Sequence, residues 1–200
     1  MATTPAVREH PKGLLYRPAL LTPAEHDELA VLVSAMTYDE VVMRGQAAKR
    51  GVVHLGFLYG YESWELRPGP EIPPELYWLR DRCGEVAAVP GEAFDEALVT
   101  RYPPGAGIGW HRDAPMFGSE VVGVSLVSES KMRFQRKVGG VRYTYDLTLE
   151  PGSAYVLAGP ARWAWQHSIP AVKSLRYSIT FRTVKDPGRW RAEGVQRLGG

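Results

Sequence analysis

Between residues 96 and 185 the chain breaks into short runs rich in β-branched and aromatic residues: "ALVTRY", "VVGVSLV", "KMRFQRKV", "RYTYDLTL", "SAYVLA" and "LRYSITFRT". Turn-forming residues separate them. Runs of this length and composition read as strands. So many short strands can bury their apolar sides only as a sandwich or a barrel. "KVGGVR" predicts a hairpin with Gly139 and Gly140 at its tip. In the last run Leu175, Tyr177, Ile179 and Phe181 alternate with Arg176, Ser178, Thr180 and Arg182. One face of that strand is therefore apolar, and the other carries an arginine at each end.

Ahead of the strands two helices are legible. "LLTPAEHDELAVLV" opens with Thr22 as N-cap, Pro23 at the first helical position and Glu25 completing a capping box. Leu29, Leu32 and Val33 then share one face. "PPELYWLRDRCGEVAAV" repeats Leu76, Leu79, Cys83 and Val86 at helical spacing. Between them, "RGVVHLGFLYGYESW" reads as a strand pair with a flexible connection. The expected fold class is mainly β with flanking helices packed outside one sheet. Residues 1–95 form an N-terminal extension of the same domain, 96–185 its core and 186–200 a weakly structured tail.

With 200 residues the chain suits one domain with a sizeable core. A net charge of +2 gives no global argument for a polyanionic partner. Cys83 is the single cysteine, which excludes an intrachain disulfide and restricts any metal site to N and O ligands. A lone thiol suits a reducing cytoplasm. The start "MATTPAVREHPKG" lacks the apolar segment of a signal peptide. No run reaches the roughly 18–20 apolar residues of a membrane span. A cytoplasmic monomer with no membrane and no protein partner is expected.

"WHRD" places His111 and Asp113 on one side of a strand, with Trp110 and Arg112 on the other. Of the remaining histidines, His10, His26, His54 and His167, only His167 lies in the same β-rich half. Two histidines and one carboxylate are the facial triad of non-heme Fe(II) oxygenases. They can equally hold zinc in a hydrolase, or be a solvated strand that happens to carry a histidine. Arg176 and Arg182, six residues apart at about 3.3 Å each, span about 20 Å. Their side chains could clamp a small dicarboxylate such as 2-oxoglutarate bidentately, or simply form a polar outer face.

"TRYPPGAGIGWHRD", "VVGVSLVSESKMRFQRK", "SAYVLAGPARWAWQHSIP" and "LRYSITFR" together resemble the AlkB-like branch of Fe(II)/2-oxoglutarate-dependent dioxygenases. The likeness runs from about residue 98 to 184, weaker over 50–80. It implies a double-stranded β-helix (jelly roll), with Fe(II) held by His111, Asp113 and His167. It implies that Tyr102 and Arg176 hold the distal carboxylate of 2-oxoglutarate. Arg182 is implied near the metal-chelating end or the substrate pocket, and Ser178 beside the co-substrate. The family's reaction is oxidative dealkylation of N-alkylated nucleobases in DNA or RNA, releasing succinate, CO2 and an aldehyde. Two positions depart from the family's pattern. Thr100 stands where an asparagine is usual and retains one hydrogen-bond donor toward the co-substrate. Pro115 stands where DNA-repair members often carry an acidic residue that reads the base.

The resemblance also makes the N-terminal extension a substrate lid. Phe57, Tyr59 and Tyr61, with Trp64 nearby, offer a stacking platform for a single-stranded or flipped base. Trp110 and Trp165 are further candidates, Trp165 only if its segment is extended. Arg44, Lys49, Arg50, Lys131, Arg133, Arg136, Lys137 and Arg142 are candidate phosphate contacts or solvated faces. Two alternatives stay open: the same chemistry on a protein side chain or a modified tRNA base, and a non-catalytic jelly-roll binding module.

Overall fold

Thr22 starts the first helix, α1 (Pro23–Ser34), in the computed structural model. Both halves of its capping box form: Glu25 N–H donates to Thr22 Oγ1 (3.3 Å), and Thr22 N–H donates to Glu25 Oε2 (2.8 Å). The second helix, α2 (Tyr77–Ala87), follows a single 3-10 turn at Pro74–Leu76 and stops where Ala88 takes a left-handed conformation. A third, α3 (Gly159–Trp163), is one short turn of "GPARW". The structure describes residues 6–43, 45–60 and 65–190. Tyr61, Trp64, Arg44 and the tail beyond residue 190 lie outside them.

The strands are β1 (Val7–Arg8), β2 (Leu14–Arg17), β3 (Asp39–Met43), β4 (Gln46–Leu55), β5 (Phe57–Tyr59), β6 (Leu66–Pro68) and β7 (Glu96–Tyr102). They continue with β8 (Ile108–His111), β9 (Phe117–Leu126), β10 (Ser130–Val138), β11 (Val141–Leu149), β12 (Ala154–Leu157), β13 (Gln166–Ile169) and β14 (Arg176–Val184). One sheet has the order β1-β11-β10-β13-β8, the other β2-β12-β9-β14-β7-β4-β3, and β5-β6 forms a separate hairpin. This is the mainly β, jelly-roll arrangement. The N-terminal stretch supplies more than the expected helices, because β2, β3 and β4 complete the larger sheet. The expected strand pair at 50–64 divides instead: β4 joins that sheet, and β5 pairs with β6.

Alternation decides what each face does. On β14, Tyr177, Ile179 and Phe181 turn outward and meet Val99, Val122, Val124 and Val156 under Leu29, Val33, Leu76, Leu79 and Cys83 of the helices. Burial there pushes the Cys83 thiol up to about 12, so it behaves as a core hydrophobe. The opposite face of β14 turns inward toward the five-stranded sheet, where Met132, Phe134, Leu149 and Leu157 form a second core. β10 and β11 pair through to Val138↔Val141. Gly139 and Gly140, at φ 54° and 82°, supply the two left-handed residues that a two-residue hairpin loop needs.

Candidate active site

Between the sheets lies a cavity of about 330 Å³. Its walls are Thr100 and Tyr102 from β7, His111 from β8 with Asp113 just beyond, His167 from β13, and Arg176, Ser178, Thr180 and Arg182 from β14. Register sets this grouping. Tyr102 is opposite Arg176, Thr100 opposite Ser178, and Glu96 opposite Arg182. His111 is opposite His167 across the β8–β13 ladder.

The two imidazoles stand 4.3 Å apart, centroid to centroid. His167 Nε2 is 3.7 Å from Asp113 Oδ2. His111 Nδ1 donates to the Gly109 carbonyl at 2.9 Å. A neutral imidazole donating from Nδ1 keeps its lone pair on Nε2. Burial, with His111 beside it, pushes His167 far below the usual histidine range, against the pull of Asp113. Burial alone would raise the Asp113 carboxyl. Its facing groups His167, Arg182, His111 and Arg162 more than offset that, holding it below the usual carboxylate range. At neutral pH the pair thus presents a neutral imidazole and a carboxylate, the forms a metal binds. Among the described residues no three such side chains yet close around one point. One Asp113 oxygen is instead engaged by Arg182.

Two buried arginines hold that aspartate. Arg182 donates from Nε and Nη2 to the two oxygens of Glu96 (2.7 Å each) and from Nη1 to Asp113 Oδ1 (3.2 Å). Its guanidinium lies 3.9 Å from the centroid of the Phe117 ring. Glu96 is fully buried, with His54 Nδ1 a further 3.4 Å contact. Arg162, on α3, donates to the backbone carbonyls of Asp113 (3.0 Å), Ala114 (2.8 Å), Gly118 (3.2 Å) and Phe117 (3.4 Å). It clamps the whole 113–118 turn. Sequence reading missed both Glu96 and Arg162. A glutamate at the head of a strand looks solvated, and partners that are backbone carbonyls leave no side-chain complement to notice.

Arg176 differs. It is 2% exposed and lies over the Tyr102 ring at 5.0 Å. Among the described residues its guanidinium makes one side-chain hydrogen bond, Nε to Ser125 Oγ (3.1 Å). Its other donors open on the cavity. Tyr155 reaches over Gly123, whose missing side chain leaves it room, and completes the wall beside Arg176.

Among the aromatic candidates, Tyr59 and Trp110 line the cavity. Phe57 and Trp165 do not. Phe57 is buried under the β5–β6 hairpin with Leu66 and Phe117. Trp165 follows the helical turn α3, which directs it into the core of the five-stranded sheet beneath Arg136. Arg50 lines the cavity, whereas Arg136 is paired with Glu9 at 2.6 Å.

A family model described as the 2OG-Fe(II) oxygenase superfamily matches residues 18–182. The chain belongs to this superfamily. Members of the 2OG-Fe(II) oxygenase superfamily use Fe(II) and 2-oxoglutarate. Curated relatives include the alpha-ketoglutarate-dependent dioxygenase AlkB of Escherichia coli, 30% identical over 141 residues, covering 64% of this chain and 63% of that protein. The alkylated DNA repair protein ALKBH8 homolog of Arabidopsis thaliana is 28% identical over 212 residues, covering 87% of this chain and 59% of that one. The chain thus spans somewhat under two thirds of these relatives. The structure of OsALKBH1 superposes with a TM-score of 0.65 at 15% identity, covering 90% of this chain and 100% of that one. A 2OG-Fe(II) oxygenase family oxidoreductase from Burkholderia pseudomallei gives 0.61 at 14%, covering 90% and 96%. At such identities the likeness concerns the jelly-roll fold alone.

Proposed function

We propose that this chain is an Fe(II)- and 2-oxoglutarate-dependent dioxygenase that oxidatively dealkylates an N-alkylated base in nucleic acid. The observation that carries the reading is one cavity lined by His111, Asp113 and His167 and also by a buried arginine, Arg176, with donors to spare. Two imidazole nitrogens and a carboxylate fit Fe(II). A buried guanidinium with a single hydroxyl partner among the described residues is costly and fits an anion.

In this reading His111, Asp113 and His167 hold the iron, which when bound supplies O₂ activation coupled to decarboxylation of 2-oxoglutarate. Arg176 takes the distal carboxylate of 2-oxoglutarate, with Tyr102 packed against it. Thr100 and Ser178, paired across the β7–β14 ladder and lining the same cavity, would contact the same molecule. Arg182 orients Asp113 rather than the co-substrate. The apolar side chains of Val121, Met132 and Ile169 in the wall would limit the access of bulk water to the reacting carbon. Tyr59 and Trp110 at the wall suit a planar base, which must be single-stranded or flipped to enter. The name of the Arabidopsis relative, an alkylated DNA repair protein, supports the same substrate class.

A second reading keeps the chemistry and changes the substrate to a protein side chain or a modified tRNA base. Pro115, with no acidic group to read a base edge, favours it.

The test is to load the protein with Fe(II) anaerobically, admit air with 2-oxoglutarate, and measure succinate, then formaldehyde from N-methylated single-stranded DNA, duplex DNA, RNA and a peptide pool. Succinate release abolished by Asp113→Ala and by Arg176→Ala is expected, with formaldehyde from a nucleic acid. No succinate, or succinate indifferent to both substitutions, overturns the oxygenase reading. Formaldehyde from the peptide pool alone transfers it to the second substrate.

A further inference from the structure

Both long helices pack against the seven-stranded sheet. The outer face of the five-stranded sheet is built by all five strands, with β10 and β11 its longest pair. There β10 turns out Lys131, Arg133, Gln135 and Lys137, opposite Thr148, Asp146, Thr144 and Arg142 of β11. Lys131, Arg133, Lys137 and Arg142 are basic and Asp146, which pairs with Lys131 at 3.4 Å, is the one acidic residue of these two rows, in a chain whose net charge is only +2.

Two details make this more than a solvated face. Lys137 and Arg142 are direct cross-strand partners, both exposed. Like charges opposite one another destabilise a ladder, and an anion bound between them would relieve that repulsion. Further along, Arg133 lies 5.3 Å over the ring of Trp110, which is 39% exposed and also lines the cavity. Arg133 Nε and the hydroxyl of its register partner Ser168, itself 2% exposed, have no hydrogen-bond partner among the described residues. Buried polar groups left so are usually completed by a ligand or an ordered water.

We infer that this face binds the phosphodiester backbone of single-stranded nucleic acid, with Trp110 stacking the base next to the one in the cavity. The inference rests on the nucleic-acid reading above and adds to it the surface that grips the strand. From Lys131 to Lys137 the row is about 20 Å long at 3.3 Å per residue, the length of several nucleotides. It reaches the cavity through Trp110, and that continuity favours a nucleic acid over a membrane or an acidic protein. An aromatic shelf beside a basic row is how single strands are held without sequence preference.

The experiment uses the full chain without added metal and a fluorescent, unmodified oligothymidylate of about 12 nucleotides, titrated across salt concentrations. Each phosphate contact contributes about −0.7 to the slope of log K against log salt on a single strand. The Lys137→Gln/Arg142→Gln variant should shrink the slope by about 1.4, and Trp110→Ala should weaken binding about 5-fold or more. The charge variant should leave succinate release and turnover of a free N-methylated nucleoside unchanged. Wild-type binding with an unaltered slope in the charge variant overturns the proposed surface and leaves the nucleic-acid reading standing. Formaldehyde from the peptide pool with no oligothymidylate binding at low salt overturns both. Phosphatidylserine vesicles form the last arm: if the substitutions abolish vesicle binding and spare the oligonucleotide, the face belongs to a membrane and the inference falls.

Discussion

Arg182 shows how much depends on one guanidinium with two carboxylates. It bonds Glu96 at both oxygens and Asp113 at one, in a site where Glu96 is fully buried. Removing the arginine strands a buried anion. Arg182→Ala should therefore cost about 3–5 kcal/mol of stability in urea unfolding of the metal-free protein. Arg182→Met with Glu96→Leu should recover part of that, because apolar replacement of a buried pair is often tolerated, while Asp113 still lacks its cation. The recovery should not extend to metal binding. Loss of a group that orients a ligand typically costs about 10–100-fold in affinity, read by Co(II) titration. A double variant with full metal affinity would show that Asp113 needs no such support. The sequence offered Arg176 and Arg182 as a matched pair on one strand face. Their surroundings separate them: one faces carboxylates of the chain itself, the other an open cavity.

At the level of elements, the α1–α2 junction carries a pH dependence. Glu25 caps α1 and also accepts from both Arg82 Nη1 and Nη2 at 2.8 Å. The Arg82 hydrogen bonds, then the Thr22 N–H, hold its carboxyl down to about 2 from an ordinary 4.5. A depressed carboxyl contributes stability that is complete above its unfolded value and lost as pH falls toward its folded one. The urea midpoint should thus fall more steeply between pH 4.5 and about 2 in the wild type than in Arg82→Met, the difference between the two curves isolating this junction. Superimposable curves would remove Glu25 from the account. A different constraint acts in β9. A Cβ on Gly123 would stand 2.3–2.5 Å from atoms of the Tyr155 ring. Gly123→Ala should cost about 1–3 kcal/mol, measured by urea unfolding, and Tyr155→Leu in the same chain should relieve it. The capping box, the Gly139-Gly140 tip and the alternation on β14 were all readable because each is a local pattern. The division of "RGVVHLGFLYGYESW" into two strands of different sheets was not. Only the partners distinguish its halves: β4 pairs with β7, more than 40 residues on, whereas β5 folds back onto β6 close by in the chain. Trp165 likewise depended on whether "GPARW" coils or extends, which its composition leaves open.

Across the whole molecule, the inward faces of both sheets gather charge that the chain only partly satisfies. Arg162, on α3, and Arg182, on β14, bond to the chain itself, while among the described residues Arg176 has one hydrogen-bond partner, a serine hydroxyl. Whatever anion binds Arg176 should stabilise the fold as well as serve the reaction. At 100 times its dissociation constant a ligand adds about 2.7 kcal/mol, and about 2–4 °C per kcal/mol is typical of a chain this long. With 2-oxoglutarate and Mn(II) present, Tm should rise by about 5–10 °C. In Arg176→Met most of that rise should vanish, although the ligand-free variant melts no lower. An equal rise in both proteins would detach Arg176 from the co-substrate.

Arg162 has a consequence in time. It sits five residues before His167, yet its donors hold the carbonyls of the turn that carries Asp113. Two segments distant in the chain are thereby tied into one opening unit. Amides in 113–118 and in 159–169 should exchange with solvent at a common opening rate, and Arg162→Lys, which keeps the charge but loses the fork, should let them drift apart. An iron held there would come and go only as often as that unit opens.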